Sequence, residues 1–267
     1  QIIDYVEEDV LMIPDLSTLK KLPWNKEPTA QVICDLYSNS GYPSLVAPRQ
    51  VLNKIIKLLK DNGLKAVVAP ELEFYLCEKN LDPNIPLLTP VGKSGRRANG
   101  SDVFGIDSVN EFDIFLDDIY DYCEMLDIGV DTLVHESGPS QIEINLNHGD
   151  PLKLADQTFM FKRAVRQVAL KHNIHATFMA KPHQGQPGSS MHIHQNLVSY
   201  KDDKNIFIDL EGKETNSFYN YIGGLQEYLP DAMVFFAPYV NSYRRFVMNS
   251  SAPINTHWGF ENRTVGL

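Results

Sequence analysis

The sequence is short of cysteine, of positive charge and of long apolar runs, and each shortage removes a class of protein. Its three cysteines, Cys34, Cys77 and Cys123, form no CxxC pair. An odd, scattered set argues against a disulfide framework or a cysteine zinc site and reads as reduced thiols in a reducing cytosol. Lysine and arginine number 24 against 34 acidic residues, a net charge of -10. Non-specific nucleic-acid binding needs a basic face, so nucleic acid is not an expected partner. No apolar run approaches the ~20 residues of a membrane span. No signal peptide, internal repeat or low-complexity segment is visible. A cytoplasmic protein acting on small molecules is the expectation that survives.

What is present suffices for a sizeable core: 267 residues, 43% of them hydrophobic and 22% charged, room for one large domain or two smaller ones. The opening Gln1-Ile2-Ile3 and the strand-like Arg263–Leu267 both read as mid-flow, so further segments are expected on either side. Strands are expected at Val10–Ile13 and Gln31–Leu36, punctuated by Pro14-Asp15, Pro23-Trp24 and Gly41-Tyr42-Pro43. Pro48 opens a helix whose apolar face is Leu52, Ile55, Ile56 and Leu59, stopped by Gly63. Lys65–Ala69 and Glu71–Cys77 are extended on either side of Pro70, as a strand pair or one bent strand. The long loop Asp82–Asp102 carries Lys93, Arg96 and Arg97, either solvated or there to hold a phosphate. Phe112, Phe115, Ile119, Tyr122 and Leu126 mark a second helix; Asp131–Val134 and Gln141–Leu146 read as strands; a third helix runs from Pro151 to about Asn173. Tyr200–Lys213 reads as a hairpin, Phe218–Tyr228 as a helix interrupted at Gly223-Gly224, and Pro230 and Pro238 bracket another short helical piece. From Asn241 to Leu267 the chain reads as extended. Short turns between several strands favour an α+β fold with a mainly antiparallel sheet over a doubly wound parallel one.

The chemistry centres on Thr177–Leu197, TFMAKPHQGQPGSSMHIHQNL. Side chains two apart on a strand share a face, so His192 and His194 project together, away from Met191, Ile193 and Gln195. The Gly- and Pro-rich turn before them can offer backbone N–H groups to an anion. A metal or phosphate site and a core strand with two hydrogen-bonded histidines are both open on this stretch alone. Glu71 and Glu73 share a strand face in the same way, and Glu136 and Glu143 lie around the turn Ser137–Ser140, with Glu143 opposite Ile142 and Ile144. Each glutamate alone reads as surface. Four of them with His192 form a hard-ligand set suited to Mg²⁺ or Mn²⁺, the ions that bridge nucleotide phosphates. Of the adjacent Arg244 and Arg245 one should point inward, and arginine grips carboxylate or phosphate bidentately. A zinc hydrolase on His192 and His194 is the weaker alternative, since carboxylates dominate.

These pieces, in this order, resemble the glutamine synthetase superfamily: APELEFYL (Ala69–Leu76), HESGPSQIEINL (His135–Leu146), ATFMAKP (Ala176–Pro182), GSSMHIH (Gly188–His194), NSYRRF (Asn241–Phe246) and SAPINTHWGFENRTVGL (Ser251–Leu267). The wording is closest to the γ-glutamylputrescine synthetase branch. The resemblance implies the end of a small N-terminal β-grasp domain over residues 1–48, then a catalytic domain over 49–267 whose antiparallel strands line a funnel. It implies stacked ring oligomers with active sites shared between subunits, and ATP, glutamate and an amine as substrates. Glu73, Glu136 and Glu143 match the ligands of one metal, and Glu71 and His192 those of a second. Gly188 matches the glutamate-binding turn, Arg245 the arginine on the glutamate α-carboxylate, and Arg263 a phosphate-contacting arginine. His194 and Asn196 match the nucleotide-side strand. Two departures stand out. Ser251 occupies the position where ammonia-using members carry the Glu that handles ammonium, which leaves room for a primary amine. Pro187 replaces the usual Asn of the glutamate turn. An ammonia-using synthetase and a non-catalytic assembly protein are the alternatives.

Overall fold

The computed structural model describes residues 9–248, 250–262 and 265–267. In chain order its elements are β1 (Val10–Lys21), β2 (Ala30–Ser38), α1 (Pro48–Asp61), β3 (Leu64–Glu78), α2 (Ile106–Asn110), α3 (Asp113–Met125), β4 (Val130–His135), β5 (Gln141–Leu146), α4 (Pro151–Lys171), β6 (Ile174–Thr177), β7 (Met191–Ser199), α5 (Asn216–Phe236) and α6 (Val240–Tyr243). β1 and β2 form an antiparallel ribbon of their own. The other strands form one five-stranded sheet in the order β4-β5-β3-β6, with β7 also on β3. Every pairing in it is antiparallel.

β3 is the axis of this sheet. It runs without a break through Pro70, so the bent-strand alternative holds and the strand pair does not. β5 pairs with Glu71–Tyr75 along one side. On the other side β7 covers Leu64–Leu72 and β6 covers Tyr75–Glu78. Pro70 offers no N–H to this ladder, and proline within a sheet marks an irregular position.

Alternation then sorts the side chains. Leu72, Phe74 and Leu76 on β3, with Ile142 and Ile144 on β5, are at most 1% exposed. They pack with Phe115, Leu116 and Ile119 of α3 and Phe161, Val165 and Val168 of α4 in one apolar cluster. Burial of such side chains contributes about 1.5–3 kcal/mol each and fixes which way the alternate residues, Glu71, Glu73 and Glu143, must face. α4 begins where its sequence says it should: the Asp150 carboxylate accepts the N–H groups of Leu152 (3.0 Å) and Lys153 (2.9 Å), and Pro151 occupies the first turn.

Several sequence expectations change. Residues 200–213 form no strand pair beyond the isolated bridges Val198–Asn205 and Ile208–Glu214; turns with left-handed Asp203 and Gly212 replace the hairpin. α5 continues through Gly223-Gly224 and through Pro230 to Phe236, so no separate helical piece lies between Pro230 and Pro238. Two glycines and a proline weaken a helix, but aromatic packing of Phe218 and Tyr219 with Trp258 opposes that cost. The described part of 241–267 holds the short α6 and turns rather than extended strand. In α1, Ile55 of the expected apolar face is 47% exposed.

Candidate functional site

The antiparallel register assembles the polar face. Glu71 on β3 stands opposite His192 on β7 and Asn145 on β5, and Glu73 stands opposite Glu143. Directly opposed residues point to the same side, with Cβ atoms about 4.5–5.5 Å apart. Both imidazoles close on one carboxylate: His192 Nδ1 lies 3.2 Å from Glu71 Oε2, and His194 Nε2 lies 2.9 Å from Glu71 Oε1. One ligand atom each from Glu71, Glu143 and His192 fall within 4.8 Å of one another. Ligands about 2.1 Å from a single Mg²⁺ stand no more than about 4.2 Å apart, so a small inward movement would complete the contact.

Glu73 is 8% exposed, which removes the reading of an exposed strand face. Its carboxylate accepts the Gln141 amide at 3.1 Å and the Ser190 backbone N–H at 3.0 Å. Burial raises its pKa; the Ser190 N–H opposes that, and the Glu136 charge adds to it. Glu136 follows β4 and accepts the Ser137 N–H at 3.2 Å. Glu143 is pushed up to about 7, first by burial and then by the charges of Glu71, Glu136 and Glu73. Four carboxylates that repel one another, with imidazole at the edge, form a donor set that fits a hard divalent cation, which would relieve the repulsion. The tightest trio crosses the division implied by family resemblance, taking Glu143 from one set and Glu71 and His192 from the other.

Next to the acids lies the glycine-rich turn. Arg245 is half-buried and Arg244 exposed, the inward and outward pair expected. Arg245 Nη2 donates to Ser190 Oγ at 2.5 Å. Burial lowers the Arg245 pKa and the nearby Glu73 charge opposes that. A Cβ on Gly188 would sit 2.7 Å from the Ala180 carbonyl oxygen and 2.8 Å from Arg245 Cγ. Only glycine therefore lets the arginine lie across the turn. Tyr75 donates its hydroxyl to Pro187 O at 2.9 Å, and Gln141 its amide to Gly188 O at 3.0 Å. Asn196 shares the face of His192 and His194, and its Oδ1 is buried without a partner. Arg263 lies outside the described residues.

Sequence reasoning passed over Gln141, Tyr75 and Asn145. Period two could have found all three, since Tyr75 shares a face with Glu73, and Gln141 and Asn145 with Glu143. Ser190, in the turn expected to offer backbone N–H groups to an anion, donates its N–H to Glu73 and accepts Arg245 at its hydroxyl. In the basic loop, Lys93 pairs with Asp113 at 2.5 Å and Arg97 with Glu78 at 2.6 Å. A cavity of about 340 Å³ beside this loop is lined by Arg96, Glu111 and His135, among others, and by none of the five acid and imidazole groups. Among the described residues no helix is long and apolar enough to cross a membrane.

Comparison with known proteins decides the ancestry. The family model described as glutamine synthetase, catalytic domain, matches residues 45–267. The chain belongs to the glutamine synthetase family. Among its relatives in that family, the gamma-glutamylputrescine synthetase PuuA of Escherichia coli (strain K12) is 37% identical over 263 residues, 98% of this chain and 56% of the relative. A glutamate–isopropylamine ligase of Pseudomonas sp is 34% identical over 269 residues, 96% of this chain and 56% of that one. A glutamine synthetase of Pyrococcus horikoshii is also 34% identical, over 97% of this chain and 55% of its own. A solved structure described as a GmaS/ADP complex superposes with a TM-score of 0.81 at 27% identity, covering 98% of this chain and 60% of that chain. The chain thus spans about half the length of the curated glutamine synthetase relatives it matches.

Proposed function

We propose that the protein is an ATP-dependent ligase joining the γ-carboxylate of glutamate to a primary amine or polyamine. The observation that carries this is the convergence of Glu71, Glu143 and His192, with Glu73 and Glu136 beside them, in a chain of this family. Glu71, Glu73, Glu136, Glu143 and His192 would hold two or more Mg²⁺ or Mn²⁺ ions. Bound there, the cations supply charge neutralisation for the phosphates of ATP. Arg245, resting on the Gly188 turn, is available to grip the glutamate α-carboxylate as a planar bidentate donor. His194 and Asn196 lie further along β7 on the same face and would border the nucleotide. Arg263 would contact the transferred phosphoryl group.

Glutamate would attack the γ-phosphorus of ATP, releasing ADP, and the resulting γ-glutamyl phosphate would be attacked by the amine, releasing phosphate. An alkylammonium ionises near ~10.4, so it must give up a proton before attack. Ser251, in place of an acid that handles ammonium, favours an amine acceptor. The ammonia-using alternative draws on the archaeal glutamine synthetase at 34% identity, close to the 37% of the putrescine enzyme. We assign residues 1–48 to the end of a β-grasp domain and 49–267 to the catalytic domain, in a cytoplasmic ring assembly. Support for the division comes from the ribbon β1–β2, which shares no strand with the main sheet.

The test is phosphate release by purified full-length protein with ATP, Mg²⁺ and glutamate, comparing putrescine, other amines and ammonium. Amine-dependent release is expected. Release with ammonium alone would favour the alternative, and no acceptor-dependent release would overturn the ligase reading.

A further inference from the structure

Asn145 belongs to none of the matched motif positions that carry chemistry, yet it sits in the middle of the polar face. Register places Thr132, Asn145, Glu71 and His192 in one row across β4, β5, β3 and β7. Its Nδ2 donates to Thr132 Oγ1 at 3.0 Å. The same side chain acts on Glu143, two residues back on the same face, and opposes the rise in its carboxyl pKa. The Thr132 contact engages the amide through its nitrogen. The amide oxygen is left buried with no hydrogen-bond partner. An orphaned buried oxygen is costly, and such groups in native proteins call for a partner. On its two flanks stand Glu71 and Glu143, both members of the tight ligand trio. Hard divalent cations take amide carbonyl oxygens alongside carboxylates.

We propose that Asn145 supplies its amide oxygen to the divalent-cation site between Glu71 and Glu143, as a further neutral oxygen donor anchored by Thr132. The inference rests on the cation-dependent reading of the site. A neutral donor here has a distinct use: it adds coordination without adding to a set of acids already crowded enough to raise the carboxyl of Glu143.

The experiment is calorimetric titration of full-length protein with Mn²⁺ alone, for the wild type, Asn145→Ala and Asn145→Asp, with water-proton relaxation of the bound Mn²⁺ as a second readout. Loss of a supporting group at a metal site weakens binding by about 10–100-fold. Asn145→Ala is expected to weaken Mn²⁺ at least tenfold and to increase relaxation, because a water takes the vacated position. Asn145→Asp, which keeps an oxygen there, is expected to stay within a few-fold of wild type. Should Asn145→Ala fail to fold, Asn145→Ser carries the same expectation. Wild-type affinity and relaxation in the alanine or serine variant would overturn the proposal and leave the ligase reading intact. Equal weakening by alanine and aspartate would reduce Asn145 to packing and overturn it too. Failure of the wild type to bind Mn²⁺ would overturn both.

Discussion

Replacing Gln141 by leucine should unfasten the site from the sheet. The side chain is 1% exposed. Its amide donates to Glu73 Oε2 at 3.1 Å and to Gly188 O at 3.0 Å, and its oxygen accepts the Gly138 N–H at 2.9 Å. Leucine fills similar space but satisfies none of the three. A hydrogen bond to a charged group contributes about 1.5–3 kcal/mol, and each stranded neutral group costs about 1–3 kcal/mol less whatever water can recover. Glu73 keeps the Ser190 N–H, so the sum comes to about 3–5 kcal/mol, a large share of the 5–15 kcal/mol typical of a whole domain. Urea unfolding followed by emission from Trp24 and Trp258 measures it. Gln141→Glu separates the polar loss from packing. It keeps the shape but sets a carboxyl against Glu73, so one of the pair must hold a proton. The folded state then binds a proton that the unfolded chain gives up near ~4.3, and the variant should lose stability as pH rises from 5 to 8. A leucine variant within about 1 kcal/mol of wild type would refute the reasoning, as would a glutamate variant insensitive to pH.

Two further outcomes follow from the charged groups of the fold. Glu143 titrates near 7 against an ordinary 4.5; a raised folded-state pKa means that its stabilising contribution is complete below about 4.5 and is lost as pH rises through about 7. In chelator the melting temperature should therefore fall between pH 5 and 8, by an amount equivalent to about 1–2 kcal/mol after allowance for solvent screening. Saturating Mn²⁺ should abolish the fall; a flat profile in chelator would refute it. Arg49 holds Asp15 of β1, Asp35 of β2 and Asp156 of α4 at 2.5, 2.7 and 3.1 Å, so Arg49→Met leaves three half-buried carboxylates facing one another. A loss of about 2–4 kcal/mol should appear as faster hydrogen exchange in β1 and β2 with the main sheet unchanged, and unaltered exchange would show that the ribbon is docked without the Arg49 cluster.

Much of the fold could be read locally. The alternation in ELEFYL and QIEINL gave each glutamate its face, because a buried Leu72 or Ile144 forces its neighbours outward. The start of α4 was written in Asp150-Pro151. Local rules failed in α5, where Gly223, Gly224 and Pro230 argue for breaks and the helix nonetheless runs on to Phe236. They failed again at 200–213, where turn residues closed loops without a ladder to join.

The amino-acid order alone determined which side chains carry charge, which way each turns on its own strand, and through its motifs the family. It could not determine which strands lie side by side or in what register. Only the folded sheet set His192 and Asn145 on the two flanks of Glu71, tied Glu73 to Gln141 and the Ser190 backbone, and left one amide oxygen of Asn145 without a partner. Facing is a property of two successive peptide units and is written locally. Neighbourhood depends on hydrogen-bond ladders and core packing between residues distant in sequence, and exists only once the whole sheet has formed.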